Sequence, residues 1–260
     1  MNIFVFVKRV PDTESRIRIR DGGKAVAEDG LNFVLSPYDE YAVEEALRLR
    51  EAKGGTVTAV ALGPDEALVV LRKCLAMGAD EAVLVKDASA ESYDGLRTAT
   101  ILAAYIKAKA GAFDLLLFGK QSVGADNAQV PSMVAEILGL PQVTVVTKLE
   151  VGDGGGTALR EIEGSREKVA FSLPAVISAQ KGLNEPRYET LRGIMAAKKK
   201  TIPVVAAGDL GLSAEETAAR VEILRVEVPS ARKAGQVVTG PAADAARRIV
   251  EFLRNDAKVI

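Results

Sequence analysis

The chain has 260 residues, 48% of them hydrophobic, and its 34 basic and 35 acidic residues leave a formal net charge of −1. That length and composition supply one large core, or a core with an appendage, and the near-zero charge excludes a global field that would gather nucleic acid or an anionic membrane. With no histidine and one cysteine, Cys74, a Ser-His-Asp triad, a histidine proton shuttle, a histidine-bearing metal site and an internal disulfide are all excluded.

Residues 3–7 form a continuous apolar run, the pattern of a central strand covered on both faces. The run breaks at Lys8-Arg9-Val10-Pro11-Asp12. Arg16-Ile17-Arg18-Ile19-Arg20 alternates strictly and ends at Asp21-Gly22-Gly23, which predicts a half-exposed hairpin arm with its arginines on the solvated face. Ser36-Pro37-Tyr38-Asp39 opens a helix: Ser36 is placed to cap it, Pro37 suits the first helical position, and Asp39 and Glu40 put negative charge in the first turn. Residues 56–62 read as the second strand, followed by a turn at Gly63-Pro64-Asp65-Glu66 and a helix through Met77. Cys74 lies among apolar neighbours on that helix and reads as core filler.

Residues 81–85 read as the third strand, 95–110 as a long helix and 115–118 as the fourth strand, ending at Gly119. A polar loop over 120–127 leads to a helix that stops at Leu138, and 142–146 form the fifth strand. Strand and helix alternate four times, so the expected fold is α/β: a doubly wound, mostly parallel sheet with helices on both faces. Residues 159–162 and 169–171 add an antiparallel hairpin. From about Thr201 the texture changes. Residues 221–228 are expected to form one more strand and 240–254 a helix, while 229–235 show no periodicity. The division is a domain over 1–200 and an extended C-terminal arm over 201–260 that packs on something else. The apolar runs are strand-sized, far below the ~20 residues of a spanning helix. The start at Met1-Asn2-Ile3 has no basic segment before its first strand. With one cysteine, the expectation is a cytoplasmic protein without a signal peptide.

In a doubly wound sheet the ligand crevice lies at the carboxyl ends of the strands, where the winding reverses. Three turns qualify: Val7-Lys8-Arg9, Leu62-Gly63-Pro64, and the loop from Gly119 to the next helix. The third has the most to offer a phosphate: two glycines, Lys120, polar Ser122, Asn127 and Gln129, and a helix N-terminus with free N–H groups. It matches neither a Walker loop nor G-x-G-x-x-G. The plain alternative is a capped strand-to-helix loop with Asp126 as its cap. A second candidate surface is Gly182-Leu183-Asn184-Glu185-Pro186-Arg187-Tyr188-Glu189-Thr190-Leu191, running on to Lys198-Lys199-Lys200. Its composition is that of a loop. It is either a connector or a docking surface, and the lysines are either a solvated helix end or part of that surface. No side chain here offers covalent redox chemistry, so redox or group transfer would need a cofactor.

Val7-Lys8-Arg9-Val10-Pro11-Asp12, Ser36-Pro37-Tyr38-Asp39-Glu40-Tyr41-Ala42-Val43-Glu44-Glu45-Ala46-Leu47, Leu75-Ala76-Met77-Gly78-Ala79-Asp80, Gly119-Lys120-Gln121 and Leu183-Asn184-Glu185-Pro186-Arg187-Tyr188 together resemble the beta subunit of electron transfer flavoprotein, in order and over nearly the whole chain. The resemblance implies a Rossmann-like domain of the adenine-nucleotide alpha-hydrolase-like kind and a heterodimer with an alpha subunit. It also implies a redox FAD held mainly by alpha, with AMP, or a second FAD in electron-bifurcating members, bound by beta. The family's nucleotide contacts carry over to Phe6, to Ser36, Pro37, Tyr38 and Asp39, to Leu62, and to Gly119, Lys120, Gln121, Ser122, Val123, Gly124, Ala125, Asp126, Asn127, Ala128, Gln129 and Val130.

By the same resemblance, residues 179–201 are a recognition loop that docks flavoprotein dehydrogenases, such as acyl-CoA dehydrogenases, with Leu191 as the apolar anchor. Glu161 matches an acidic residue that orients the flavin domain by pairing with an arginine of alpha, and the arm from Thr201 embraces alpha. The implied role is an electron carrier subunit rather than an enzyme, delivering to a quinone-linked or other acceptor. The sequence departs from the family at Ser36, where Asn is usual, and in the 124–130 loop, which is intermediate between AMP-binding and bifurcating types. AMP is the expected occupant. The alternatives are a bifurcating subunit whose own FAD takes hydride from NADH, and a stand-alone nucleotide-binding protein of universal-stress type.

Overall fold

The structure, a computed structural model, describes residues 1–87, 94–230 and 235–260. The first strand, β1 (Asn2–Val7), shows why the sheet takes its position in the centre. Ile3, Val5 and Val7 point to one helical layer while Phe4 and Phe6 point to the other, and all five are buried. A short antiparallel pair follows, β2 (Arg9–Pro11) with β3 (Phe33–Leu35). Then come α1 (Pro37–Lys53), β4 (Thr56–Gly63), α2 (Leu68–Met77), β5 (Glu81–Lys86), α3 (Gly95–Lys109), β6 (Leu115–Gly119) and α4 (Val130–Leu138). The second half carries β7 (Gln142–Val151), β8 (Gly155–Ile162), β9 (Ser165–Ser172), β10 (Ala175–Ala179), α5 (Leu191–Lys199), β11 (Val204–Ala206) and α6 (Ala242–Glu251).

Nine strands form one sheet in the order β11-β5-β4-β1-β6-β10-β7-β8-β9. The seven from β11 to β7 are parallel, and β8 and β9 extend the edge antiparallel. This is the doubly wound α/β sheet with an added hairpin that the alternation predicts. Residues of α1 and α2 pack in the core on one face, and those of α3 and α4 on the other. The winding runs from β1 outward through β4 to β5, then returns to the other side of β1 at β6. The reversal therefore falls between β1 and β6, and the carboxyl ends of these two strands open a crevice.

Several expectations are corrected. Residues 16–20 form only a minimal hairpin in place of a full arm: one antiparallel bridge joins Ile19 to Val26, flanked by Ala27 N–H to Arg18 C=O and Arg20 N–H to Ala25 C=O (both 2.8 Å), because two exposed arms with little face to bury do not hold a longer ladder. Ser36 occupies the cap position of α1, but its hydroxyl is buried without a partner and makes no capping bond. Residues 221–228 form no strand. They lie without a ladder, tied at Val226, whose N–H donates to Gly23 C=O (2.8 Å). The break at Thr201 comes early for the sheet, since β11 still pairs with β5 and Ala207 and Leu210 are buried beyond it. After that the chain is largely exposed. The aperiodic run 229–235 lies mostly outside the described residues. No described helix is long and apolar enough to cross a membrane.

Candidate nucleotide cleft and docking loop

A cleft of about 880 Å³, including space open to solvent, lies at the reversal point. Phe6 of β1 and Phe118 of β6 stack at its base, centroids 4.4 Å apart and planes 9° from parallel. Val60 and Leu62 of β4 continue this apolar floor. Asp39, in the first turn of α1, closes the inner end. Its Oδ2 accepts from the Lys8 N–H (2.8 Å) and its Oδ1 from the Gly119 N–H (3.1 Å), so one carboxylate ties together the turns that leave the two central strands. Burial pushes the Asp39 carboxyl up to about 7, against the lowering pull of those two N–H groups. The fit demands glycine at 119. A Cβ there would lie 2.3 Å from Asp39 Oδ1 and 2.7 Å from the Asp39 nitrogen.

The opposite wall is the loop from Lys120 to Gln129. Asp126 (φ 52°) and Ala128 (φ 51°) adopt left-handed backbone that side chains rarely take, and such strain gathers at ligand-binding turns. Asp126 is not a cap. It accepts from Gln121 Nε2 (2.7 Å), while the cap position of α4 is Gln129 and no side chain caps that helix. The α4 N-terminus thus faces the cleft with its first N–H groups uncapped by any side chain, beside Lys120 and Ser122.

Of the residues expected from the sequence, Phe6, Asp39, Leu62, Gly119, Lys120, Gln121, Ser122, Ala125, Asn127, Ala128, Gln129 and Val130 line the cleft. Ser36, Pro37, Tyr38, Val123, Gly124 and Asp126 do not line it. Sequence reasoning missed Asp94, Gly95 and Thr98 at the start of α3. Asp94 caps that helix through the Arg97 N–H (3.0 Å), and its other oxygen accepts from the backbone N–H groups of Arg220 and Val221. Burial raises its carboxyl, but these N–H groups outweigh that and hold it below the usual carboxylate range. An Asp-Gly pair ahead of an apolar helix was the available signal. With a stacked aromatic base, cations at Lys8 and Lys120 and an uncapped helix start, the residues present fit an adenine nucleotide.

Residues 183–190 fold back onto α1. Asn184 Nδ2 donates to Tyr41 C=O (3.0 Å) and to Glu45 Oε2 (2.9 Å). Arg187 forks twice: Nε and Nη2 reach the two oxygens of Glu44 (2.8 and 3.1 Å), and Nη1 and Nη2 reach those of Glu51 (2.5 and 3.1 Å). Burial raises Glu44, yet the Arg187 and Arg48 bonds win and hold it below its ordinary range. Glu51 is lowered first by the same Arg187 fork. Thr190 caps α5, its Oγ1 accepting from the Gly193 N–H (3.0 Å). That helix presses on α2 so closely that a Cβ on Gly193 would sit 2.2 Å from Ala76 C=O.

At the far end of α5, Lys198, Lys199 and Lys200 are exposed, and Lys200 is also tied to the body. Its Nζ donates to the carbonyls of Ala79 (3.1 Å) and Asp80 (2.6 Å). The docking candidates therefore divide. Asn184 and Arg187 turn inward and Leu183 packs partly on the core, whereas Tyr188 is 94% and Leu191 78% exposed. Glu161 stands on β8 and accepts from Arg166 Nη2 at 3.4 Å on the exposed hairpin.

The family model described as electron transfer flavoprotein domain matches residues 24–210, ending where the chain leaves the sheet. The chain is 41% identical over 261 residues to electron transfer flavoprotein subunit beta of Bacillus subtilis, covering 100% of each. Against the subunit beta of Syntrophomonas wolfei it is 40% identical over 261 residues, covering 100% of this chain and 98% of the other. Against that of Mus musculus it is 40% identical over 238 residues, covering 90% and 91%.

Proposed function

We propose, for a chain that belongs to the electron transfer flavoprotein family and within it to the beta subunits, that it is the nucleotide-holding and partner-docking half of an electron-carrying heterodimer. The alpha subunit holds most of the redox FAD, which supplies the one- and two-electron chemistry that no side chain of this protein offers. This subunit holds AMP in the cleft between β1 and β6. It presents Tyr188 and Leu191 to flavoprotein dehydrogenases such as acyl-CoA dehydrogenases, and the acceptor is quinone-linked or another electron carrier. Glu161 orients the flavin domain by exchanging its Arg166 pairing for an arginine of alpha, and the arm beyond Thr201 lies on alpha.

The observation that carries this reading is the cleft itself. Its Phe6 and Phe118 floor suits a purine face. Lys8, Lys120 and the α4 start suit a phosphate, and the Asp39 carboxylate is engaged in tying both central turns. The role is to bind and orient rather than to react.

Titration of the heterodimer with AMP by calorimetry tests it. One AMP per heterodimer is expected, with affinity lowered roughly tenfold by Lys120→Ala, since a charge-assisted phosphate contact is lost. Absence of AMP binding, or two flavins per heterodimer with bleaching by NADH, would replace AMP by a second FAD and an electron-bifurcating role.

A further inference from the structure

The cleft and the loop are joined by one helix. The first turn of α1 carries Asp39, which closes the cleft and holds the turns after β1 and β6. Two residues further on, about 3 Å along the axis at 1.5 Å per residue, Tyr41 C=O accepts from Asn184. Glu44, Glu45 and Glu51 then take Arg187 and Asn184. Residues 183–190 have no regular secondary structure of their own, so their pose depends on α1. Of the outward pair, Tyr188 directly follows the doubly forked Arg187 and Leu191 opens α5 three residues later. Helix ends fray, and the first turn is the part of α1 that a ligand would fix.

We propose that α1 is a strut through which nucleotide in the cleft steadies the pose of the docking pair, with Asn184 and Arg187 as the positioning residues. This rests on the reading that the cleft holds AMP. Asn184 and Arg187 then act without touching a dehydrogenase: they transmit order from the cleft to the exposed pair. Coupling of this kind is reciprocal, so releasing the loop must also weaken the nucleotide. The Arg187 fork is specific in geometry, because a lysine brings the charge without the planar pair of donors.

The test uses the purified heterodimer, free of AMP and saturated with it. Amide hydrogen exchange over residues 184–190 is expected to slow at least threefold with AMP. Arg187→Gln should erase that slowing and weaken AMP binding about fivefold, the lower end of ordinary site-to-site coupling, although Arg187 lies outside the cleft. Arg187→Lys should recover part of both effects. Lys148→Gln, which breaks an exposed pair on β7, should change neither. AMP binding with unchanged exchange over 184–190, or an Arg187→Gln variant that binds AMP as tightly as the parent, would overturn the strut alone. Failure of the parent heterodimer to bind AMP would overturn the nucleotide reading and the strut together. Should Arg187→Gln not fold, the parent protein's exchange comparison decides.

Discussion

Asp39 is a buried residue that also lines the candidate cleft. Its carboxyl is raised to about 7 because it is buried, while its two N–H partners work the other way. Because the folded value lies above the unfolded one, the proton stabilises the fold at low pH, and stability is lost as pH rises from about 4 through 7. Asp39→Asn removes that dependence and can keep one of the two N–H bonds. Its stability relative to the parent is therefore expected to rise between pH 4 and 7 and to level off above about 8, with a span of up to about 4 kcal/mol. Thermal melts across that range check it, and a parallel pair of curves would contradict it. Gly119→Ala is expected to cost about 3 kcal/mol in denaturant titrations, since the added methyl meets both the Asp39 carboxylate and its backbone. The helix-opening pattern at 36–39 was readable in the sequence, but the cap was not. What decides Ser36 is the burial of its hydroxyl beneath the turn, and no local spacing encodes that.

At the scale of elements, the parallel strands were legible because strands covered on both faces must be apolar throughout, as Ile3 to Val7 and Leu115 to Phe118 are. The hairpin strands β8 and β9 run longer than their apolar patches, since much of each faces solvent. The three-residue strands β2, β3 and β11 were invisible because they carry too little pattern. In the candidate docking loop, composition marked a stretch without regular secondary structure but could not say which side chains turn inward. Asn184 and Arg187 find their partners about 140 residues earlier, on α1. The outward Leu191 gives a clean contrast between stability and function. Leu191→Ala should leave unfolding free energy within about 0.5 kcal/mol, because the side chain is exposed. The same change should cut electron transfer to the partner dehydrogenase roughly tenfold or more, as loss of an anchor does. Stopped-flow rates at equal flavin content read the second effect, and unchanged rates would remove Leu191 from the docking surface.

For the whole molecule, the division is between a closed α/β body and an open tail. Beyond Leu212 the chain exposes Val221, Leu224, Val228, Val237, Phe252 and Ile260, and α6 buries none of its residues. Exposed apolar groups in such number make the tail a candidate surface for another protein. A chain ending at residue 230 keeps the bonds from Arg220 and Val221 to Asp94. It is expected to fold with a melting temperature within a few degrees of the parent while failing to co-elute with an alpha subunit. The tail's course could not be read from the sequence, because its apolar residues lack the periodicity of a self-contained element. The most direct measurement is the composition of the complex obtained on co-expression with an alpha subunit, by sizing, flavin absorbance and chromatography of the nucleotides released on unfolding. A one-to-one heterodimer with one FAD and one AMP is the expected result. A stable, nucleotide-free chain that ignores alpha would contradict the account.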